Sequence, residues 1–181
     1  MFWRAKKGKK VIYFCCGKNY TIRRYLYKGV APIKNSVFSV RRMTKGDVPL
    51  VAHIEKECFS SPWSEDALVT ETENPSAEFF VLEAENTVAA YMGMHIVLDE
   101  CYIANVAVKK DFRKKGLGRI LVENALKVAR DKGCSFITLE VRVSNLPAIA
   151  LYEKCGFEKI GERKNFYTAP TENALIMTKY F

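Results

Sequence analysis

A short basic turn with two closely spaced glycines separates an apolar segment from an amphipathic one. The turn is Arg-Lys-Lys-Gly-Leu-Gly-Arg over 113–119; an apolar run over 102–108 precedes it, and a helical pattern begins at Leu117. This order predicts a strand, a tight turn and a helix. The first N–H groups of a helix lack intrahelical partners and lie at the positive end of its dipole, and here cations surround them. The turn therefore predicts a site for a diphosphate.

The spacing of the glycines excludes two common nucleotide-binding loops. A Walker A loop places four residues between its glycines and continues with Lys-Ser/Thr, whereas one residue separates Gly116 from Gly118, and Arg119-Ile120 follows. A dinucleotide fingerprint needs a third glycine where this chain has Leu121. A basic glycine turn also serves as a plain connection between a strand and a helix, so the turn alone leaves both interpretations open.

A second strand and helix follow the first pair. Residues 135–143 are rich in apolar and β-branched residues and predict a strand, and Ser-Asn-Leu-Pro over 144–147 predicts a helix start with proline in the first turn. That helix is expected to end at Gly156. The resulting string over 139–157, Leu-Glu-Val-Arg-x-Ser-Asn-x-x-Ala-Ile-x-Leu-Tyr-x-x-x-Gly-Phe, is long and specific.

These motifs resemble those of the GNAT superfamily of N-acetyltransferases. With Phe-Ser-Ser-Pro-Trp-Ser over 59–64 and Arg-Lys-Asn-Phe-Tyr over 163–167, they look like its ribosomal-protein-alanine N-acetyltransferase (RimI) family. The resemblance covers about 37–181 and implies an α/β (α+β) fold, in which four helices flank a mixed, mostly antiparallel twisted sheet of about seven strands. It implies an enzyme that moves an acetyl group from acetyl-CoA to a protein N-terminus, the N-terminal alanine of a small-subunit ribosomal protein.

The same resemblance implies roles for single residues. An α-ammonium group with a pKa of about 7.7 to 8.0 must lose a proton before its nitrogen attacks a thioester. The resemblance implies that Glu140 accepts this proton, that Tyr152 protonates the departing thiolate, and that Trp63 and Tyr167 pack on the acceptor peptide. The resemblance implies that acetyl-CoA is held by Val106, Ala107, Val108, Arg113, Lys114, Lys115, Gly116, Leu117, Gly118, Arg119 and Asn145. It also implies that a backbone N–H within 106–108 stabilises the oxyanion.

Each of these residues also has an ordinary structural interpretation. Outside its motif, Glu140 would be a solvent-facing strand residue, and Asn145 would be a helix cap beside a proline. Tyr152 and the two aromatic residues of the acceptor side would close the core. In addition, Phe166 stands where the related motif usually has a second tyrosine. The exact acceptor therefore stays open.

The net charge of +9 is unevenly distributed. Residues 1–36 contain ten Lys or Arg and no acid, so that the remaining chain has 19 basic and 20 acidic residues. We expect 37–181 to form the catalytic domain and 1–36 to be a basic extension. Such an arm can contact a ribosome or RNA through phosphates, but it can equally be a poorly ordered extension.

The remaining composition restricts the classes of protein. No apolar run reaches the 18 or so residues that cross a membrane, which predicts a soluble, cytoplasmic protein without a membrane span. Two histidines, His53 and His95, leave little for a metal site, and none is expected. The cysteines show no zinc spacing and are expected to be buried thiols: Cys15, Cys16, Cys58, Cys101, Cys134 and Cys155.

Hydrophobic periodicity and turn residues predict the other elements. Strands are expected over 37–42, 77–83, 87–96, 101–108, 159–167 and 173–179, with helices over 48–58, capped by Asp47, from Ser64 to about 71, and over 117–132. Two other functions remain open: a small-molecule amine acetyltransferase with the same cofactor site, and a noncatalytic protein that binds acyl-CoA or ribosomes.

Overall fold

A computed structural model describes residues 38–84 and 87–181, together with the backbone of two short strands nearer the N-terminus. Those strands, β1 (Tyr13–Cys16) and β2 (Asn19–Ile22), pair antiparallel as a hairpin within the basic extension. Apart from these two strands, the expectation of a basic, poorly ordered extension over 1–36 concerns residues that the structure does not describe.

One sheet of seven strands forms the body of the protein. Its order is β3-β4-β5-β6-β7-β9-β8, and every neighbouring pair is antiparallel except β6 and β7. The strands are β3 (Phe38–Arg42), β4 (Ala77–Ala84), β5 (Thr87–Val97), β6 (Glu100–Val108), β7 (Phe136–Arg142), β8 (Glu158–Thr168) and β9 (Thr171–Tyr180). The predicted mixed, mostly antiparallel sheet is confirmed.

Four helices cover the two faces of the sheet. They are α1 (Val48–Cys58), α2 (Glu65–Glu73), α3 (Leu117–Asp131) and α4 (Leu146–Lys154). The predicted stripe of α3, from Leu117 through Leu121 to Ala125 and Val128, lies in the core that α3 and α4 form with one face. The helices α1 and α2 form a second core on the opposite face, around Phe79 and Tyr91.

The helix starts follow the sequence, with one correction. Ser64 caps α2 as predicted, and its Oγ accepts from the Ala67 N–H at 3.1 Å. Asp47 occupies the N-cap position of α1 as predicted, but its side chain makes no capping hydrogen bond, because its carboxylate accepts two bonds of 2.7 Å from Arg41. The guanidinium group lowers the pKa of Asp47 to about 2.

The cysteines and histidines partly follow expectation. Cys101 and Cys134 are buried thiols, but Cys58 and Cys155 are only half-buried because they lie at the ends of α1 and α4. His95 contacts the Glu71 carboxylate at 2.8 Å, while His53 is exposed on α1. No helix among the described residues is long and apolar enough to cross a membrane.

Candidate active site

The strands β6 and β7 separate after a short common stretch. They pair only from Glu100 with Phe136 to Tyr102 with Thr138, while β6 continues to Val108 and β7 to Arg142. The register of β5 with β6 shifts between Gly93 and Met94, which is a bulge next to the point of separation. Parallel strands that diverge leave a gap with two open edges, and the predicted site residues border this gap.

The end of β6 directs free N–H groups into the gap. The Lys109 N–H donates to the Ala89 carbonyl of β5 at 3.0 Å, and the hydrogen-bonding side alternates along a strand. The N–H groups of Val108 and Val106 therefore point away from β5, toward β7. These are two of the three residues predicted to stabilise an oxyanion, and Ala107 faces the other way, toward Tyr91.

The basic turn presents a row of backbone N–H groups beside this gap. The Arg113 N–H closes the preceding 3-10 turn on Lys110, and the Arg119 N–H donates to the Gly116 carbonyl. Between them, the five N–H groups of 114–118 have no hydrogen-bond acceptor in the described parts of the chain. Free N–H groups at the start of a 15-residue helix form an anion site.

The two positions in the turn require glycine for different geometric reasons. Gly116 has φ of +83°, which lies in the left-handed region that side chains rarely adopt. Gly118 brings α3 close to its neighbours, because a Cβ there would lie 3.3 Å from Leu151 of α4 and 3.8 Å from Val108. The turn therefore packs against the end of β6 and against the second half of α4, where Leu151 is followed by Tyr152.

The cations of the turn have separate contacts. The Arg113 guanidinium folds back onto the protein, where Nε donates to the Val108 carbonyl at 3.0 Å and Nη2 to Cys58 Sγ at 3.3 Å. Lys115 lies over the Phe112 ring, and Arg119 pairs with Glu123 on α3. Lys114 is exposed, with φ of +59°. A positive field thus surrounds the free N–H groups.

Glu140 borders the gap from β7 and is not the solvent-facing residue of its structural interpretation. Its side chain is 11% exposed, and Oε1 accepts from Arg163 Nη1 at 2.7 Å. Its second oxygen, Oε2, is buried and has no hydrogen-bond partner in the described part of the molecule. Burial and the nearby Glu140 carboxylate raise the pKa of the Tyr102 phenol. One free carboxylate oxygen is thus available to accept a proton.

Tyr152 lies on the opposite side of β7 from Glu140. Leu139 and Val141 alternate with Glu140 and pack into the core that contains Tyr152, whose ring contacts Phe157 at 5.7 Å between centroids. Burial raises the pKa of the Tyr152 phenol, and Tyr167 contributes to this shift. The hydroxyl therefore keeps its proton at neutral pH. No hydrogen bond joins it to Glu140 within 38–84 and 87–181.

The other predicted residues have structural contacts, and their binding roles stay predictions. Asn145 caps α4, with Oδ1 accepting from the Ala148 N–H at 3.3 Å, and its side chain is exposed. The Trp63 ring packs on Phe79 in the α1 core, at 6.0 Å between centroids. Tyr167 lies beside Glu140, and its hydroxyl donates to the Glu140 carbonyl at 3.4 Å.

A buried carboxylate that the sequence analysis did not select supports Trp63. Glu55 of α1 is fully buried and accepts hydrogen bonds from Tyr91, from Asn105 at 3.0 Å and from the Trp63 N–H at 2.7 Å. Burial raises its pKa. A sequence signal existed, because Glu55 continues the apolar stripe of α1 through Val48, Val51 and Ala52. A charged residue on a buried stripe indicates a paired group.

The residues present fit a thioester cofactor with a diphosphate. The free N–H groups of 114–118 would hold its anionic part, two further N–H groups face the gap, and a carboxylate oxygen that has no partner among the described residues borders the gap. Within the described residues, no group of three or more His, Cys, Asp or Glu side chains is placed to hold a metal ion. The arrangement can therefore hold an acyl thioester and take a proton from an amine.

Comparisons with known proteins agree with this geometry. Residues 48–157 match the model of the acetyltransferase (GNAT) family. A Bacillus subtilis (strain 168) protein provisionally named ribosomal protein bS18-alanine N-acetyltransferase is 42% identical over 140 residues, 77% of this chain and 93% of its own length. The Escherichia coli (strain K12) protein with that name, without qualification, is 38% identical over 135 residues, covering 72% and 89%.

A solved structure shares the fold. The crystal structure of the ribosomal-protein-S18-alanine N-acetyltransferase from Escherichia coli superposes with a TM-score of 0.74 and 34% identity, covering 80% of this chain and 94% of that one. Both relatives and the structure are matched over most of their own lengths. The catalytic domain predicted over 37–181 contains the region matched to the family model.

Proposed function

The chain belongs to the acetyltransferase (GNAT) family and is an acetyl-CoA-dependent N-acetyltransferase; from this premise we propose that it acetylates the N-terminal alanine of the small-subunit ribosomal protein bS18. The names of its Bacillus subtilis and Escherichia coli relatives support this acceptor. The observation that carries the proposal is the gap between β6 and β7, with free N–H groups on one edge and the free Glu140 oxygen on the other.

Proton transfer from the acceptor is assigned to Glu140. The α-ammonium group of the acceptor has to lose one proton, and Oε2 of Glu140 is buried, near the Tyr102 phenol, without a hydrogen-bond partner among the described residues. Arg163 holds the other oxygen at 2.7 Å and so orients the carboxylate. The side chain thus has one oxygen for orientation and one for the proton.

The other groups act on the donor. Bound acetyl-CoA supplies a thioester carbonyl as the acetyl donor. We assign its diphosphate to the N–H groups of 114–118 and the cap Asn145, and the carbonyl oxygen to the N–H groups of Val106 and Val108. Tyr152 keeps the proton that the leaving group needs, because burial raises the pKa of its phenol.

Two features of the proposal concern partners and place. The ten cations of 1–36 support contact with the ribosome or with RNA, which stays a prediction from the charge of that segment. We place the reaction in the cytoplasm, where ribosomal proteins are made. Trp63 and Tyr167 are assigned to the acceptor peptide, since Tyr167 contacts the Glu140 carbonyl and the segment of Trp63 contacts β7 through Ser60.

A peptide assay with a matched control tests the function. Deprotonating a lysine ε-amine costs about 2.4 more pKa units than an α-amine, or ~3.3 kcal/mol, which one carboxylate does not offset. We expect a peptide with N-terminal alanine to be acetylated at its α-amine. The same peptide, blocked there and containing lysine, should not react. Equal rates on the blocked peptide, or faster turnover of polyamines, would contradict the proposal.

A further inference from the structure

Arg142 occupies a central position on the acceptor side of the gap. It ends β7 two residues after Glu140, and successive side chains of a strand alternate, so the two residues lie on the same face. Its side chain is 23% exposed. The residue follows the candidate base along the strand and belongs to none of the groups assigned above.

The guanidinium group of Arg142 joins two segments that are distant in sequence. Nη1 donates to the Pro170 carbonyl at 3.1 Å, and Nη2 donates to the Ala169 carbonyl at 3.0 Å, both in the turn between β8 and β9. Nη2 also approaches Ser60 Oγ at 3.4 Å, in the segment between α1 and α2. One side chain therefore connects β7, the β8–β9 turn and the segment that contains Trp63.

Two further contacts hold this group in place. The guanidinium lies over the Tyr167 ring, 4.1 Å from its centroid, and Nη1 pairs with Glu172 Oε2 at 3.0 Å. The other oxygen of Glu172 accepts from the Ser144 N–H at 2.7 Å, just before α4. These hydrogen bonds lower the pKa of Glu172, so the partner of Arg142 is ionised at neutral pH.

We propose that Arg142 is a positioning residue that holds Tyr167 and the segment 59–64 at a defined distance from Glu140, and thereby sets the affinity for the acceptor peptide. The proposal rests on the proposed function, since it assigns these segments to the acceptor. Arginine suits the task because its planar group makes four hydrogen bonds and a ring contact together, whereas the ammonium group of lysine is a point charge. The described contacts of Arg142 do not include the basic turn over 113–119.

The experiment compares two Arg→Lys variants. Arg142→Lys keeps the charge but loses the planar group, and Arg41→Lys does the same at Asp47 and Glu83, away from the gap. We expect Arg142→Lys to raise the KM for an alanine peptide about 10-fold or more, because small displacements at a site are costly. The Kd for acetyl-CoA, from calorimetry, should stay within about twofold. Arg41→Lys should change neither constant.

A second variant and a second measurement keep the outcome decisive. Glu172→Gln removes the charged partner only and should raise the same KM by a smaller factor. Hydrogen exchange, which needs no turnover, should become faster over 59–64 and 168–172 in Arg142→Lys and stay unchanged in Arg41→Lys. A peptide KM within twofold of wild type in folded Arg142→Lys, or unchanged exchange in both segments, would overturn the proposal. An inactive wild-type enzyme would instead reject the proposed function. The exchange result would still show whether Arg142 holds the two segments in place.

Discussion

The two sides of the gap differ in their chemical groups, which are backbone N–H groups on one side and side chains on the other. The proposed donor side offers backbone N–H groups of five consecutive residues, 114–118, supported by a helix start and by nearby cations. The acceptor side uses side chains from distant positions, such as Arg142 with Ser60 and Glu55 with Tyr91. A backbone site needs only the correct local conformation and small residues. A side-chain network needs each of its members.

This difference has a consequence for substitutions. On the donor side, added bulk or negative charge should be harmful, while exchange of one cation for another should matter less. On the acceptor side, even the exchange of one charged residue for another of the same sign removes hydrogen bonds.

The largest expected effect is on the acceptor side. Glu140→Gln removes the carboxylate that we propose as proton acceptor and should lower turnover roughly 10² to 10⁴-fold, with the Kd for acetyl-CoA little changed. Steady-state kinetics and calorimetry measure the two quantities. Glu73→Gln, which affects an exposed ion pair with Lys45, is the control. Turnover of Glu140→Gln within twofold of wild type across pH would refute the role of Glu140.

The next effect is on the donor side. Gly118→Glu places a side chain where Leu151 lies 3.3 Å from the Cβ position and adds a negative charge beside free N–H groups. We expect the affinity for acetyl-CoA to fall on the order of 100-fold in a folded protein, since both charge and backbone approach are affected. Gly46→Glu is the control, because it adds the same charge at a glycine whose Cβ position lies 3.6 Å from the nearest atom. Unchanged calorimetric affinity in Gly118→Glu would remove the donor site from 114–118.

The smallest effect concerns the acid. Burial raises the pKa of the Tyr152 phenol above its ordinary value, so the protonated form persists as pH rises through 10 and is lost only beyond it. Tyr152→Phe should lower kcat by about 10 to 100-fold with little change in its pH profile up to pH 10. Stopped assays between pH 6 and 10 measure this. A fall in wild-type kcat that is half complete near pH 10 and is absent in the variant would show an unshifted phenol.

Local patterns in the chain predicted most of the fold. The helix bounds of α1 agree with the prediction at both ends, and Ser64 caps α2 because its hydroxyl reaches a free N–H group three residues later. The bounds of β8 and β9 were less accurate. Both strands are longer than predicted, since cross-strand pairing extends them to a two-residue turn beyond what their own composition indicates.

The candidate site shows the same difference between local features and contacts of distant residues. The anion site over 113–119 depends on glycine spacing and on a helix start, and both are visible in the sequence because they concern neighbouring residues. The side chains of the acceptor network are not marked in this way. Arg142 and Ser60 are 82 residues apart, and Glu55 and Asn105 are 50 residues apart. Arg142 belongs to the motif over 139–157, but nothing local shows that its side chain contacts Ser60 and Tyr167.

The sequence by itself thus determined the order of strands and helices and predicted an anion site at the basic turn, because periodicity, caps and glycine spacing are properties of neighbouring residues. The candidate base and acid came from the resemblance of the motif over 139–157 to a known family. Only the tertiary structure decided that β6 and β7 separate after Tyr102, that Arg163 holds one oxygen of Glu140, and that Tyr152 and Glu140 face opposite sides of β7. These facts depend on pairing between distant segments, and that pairing is settled by how the whole sheet packs.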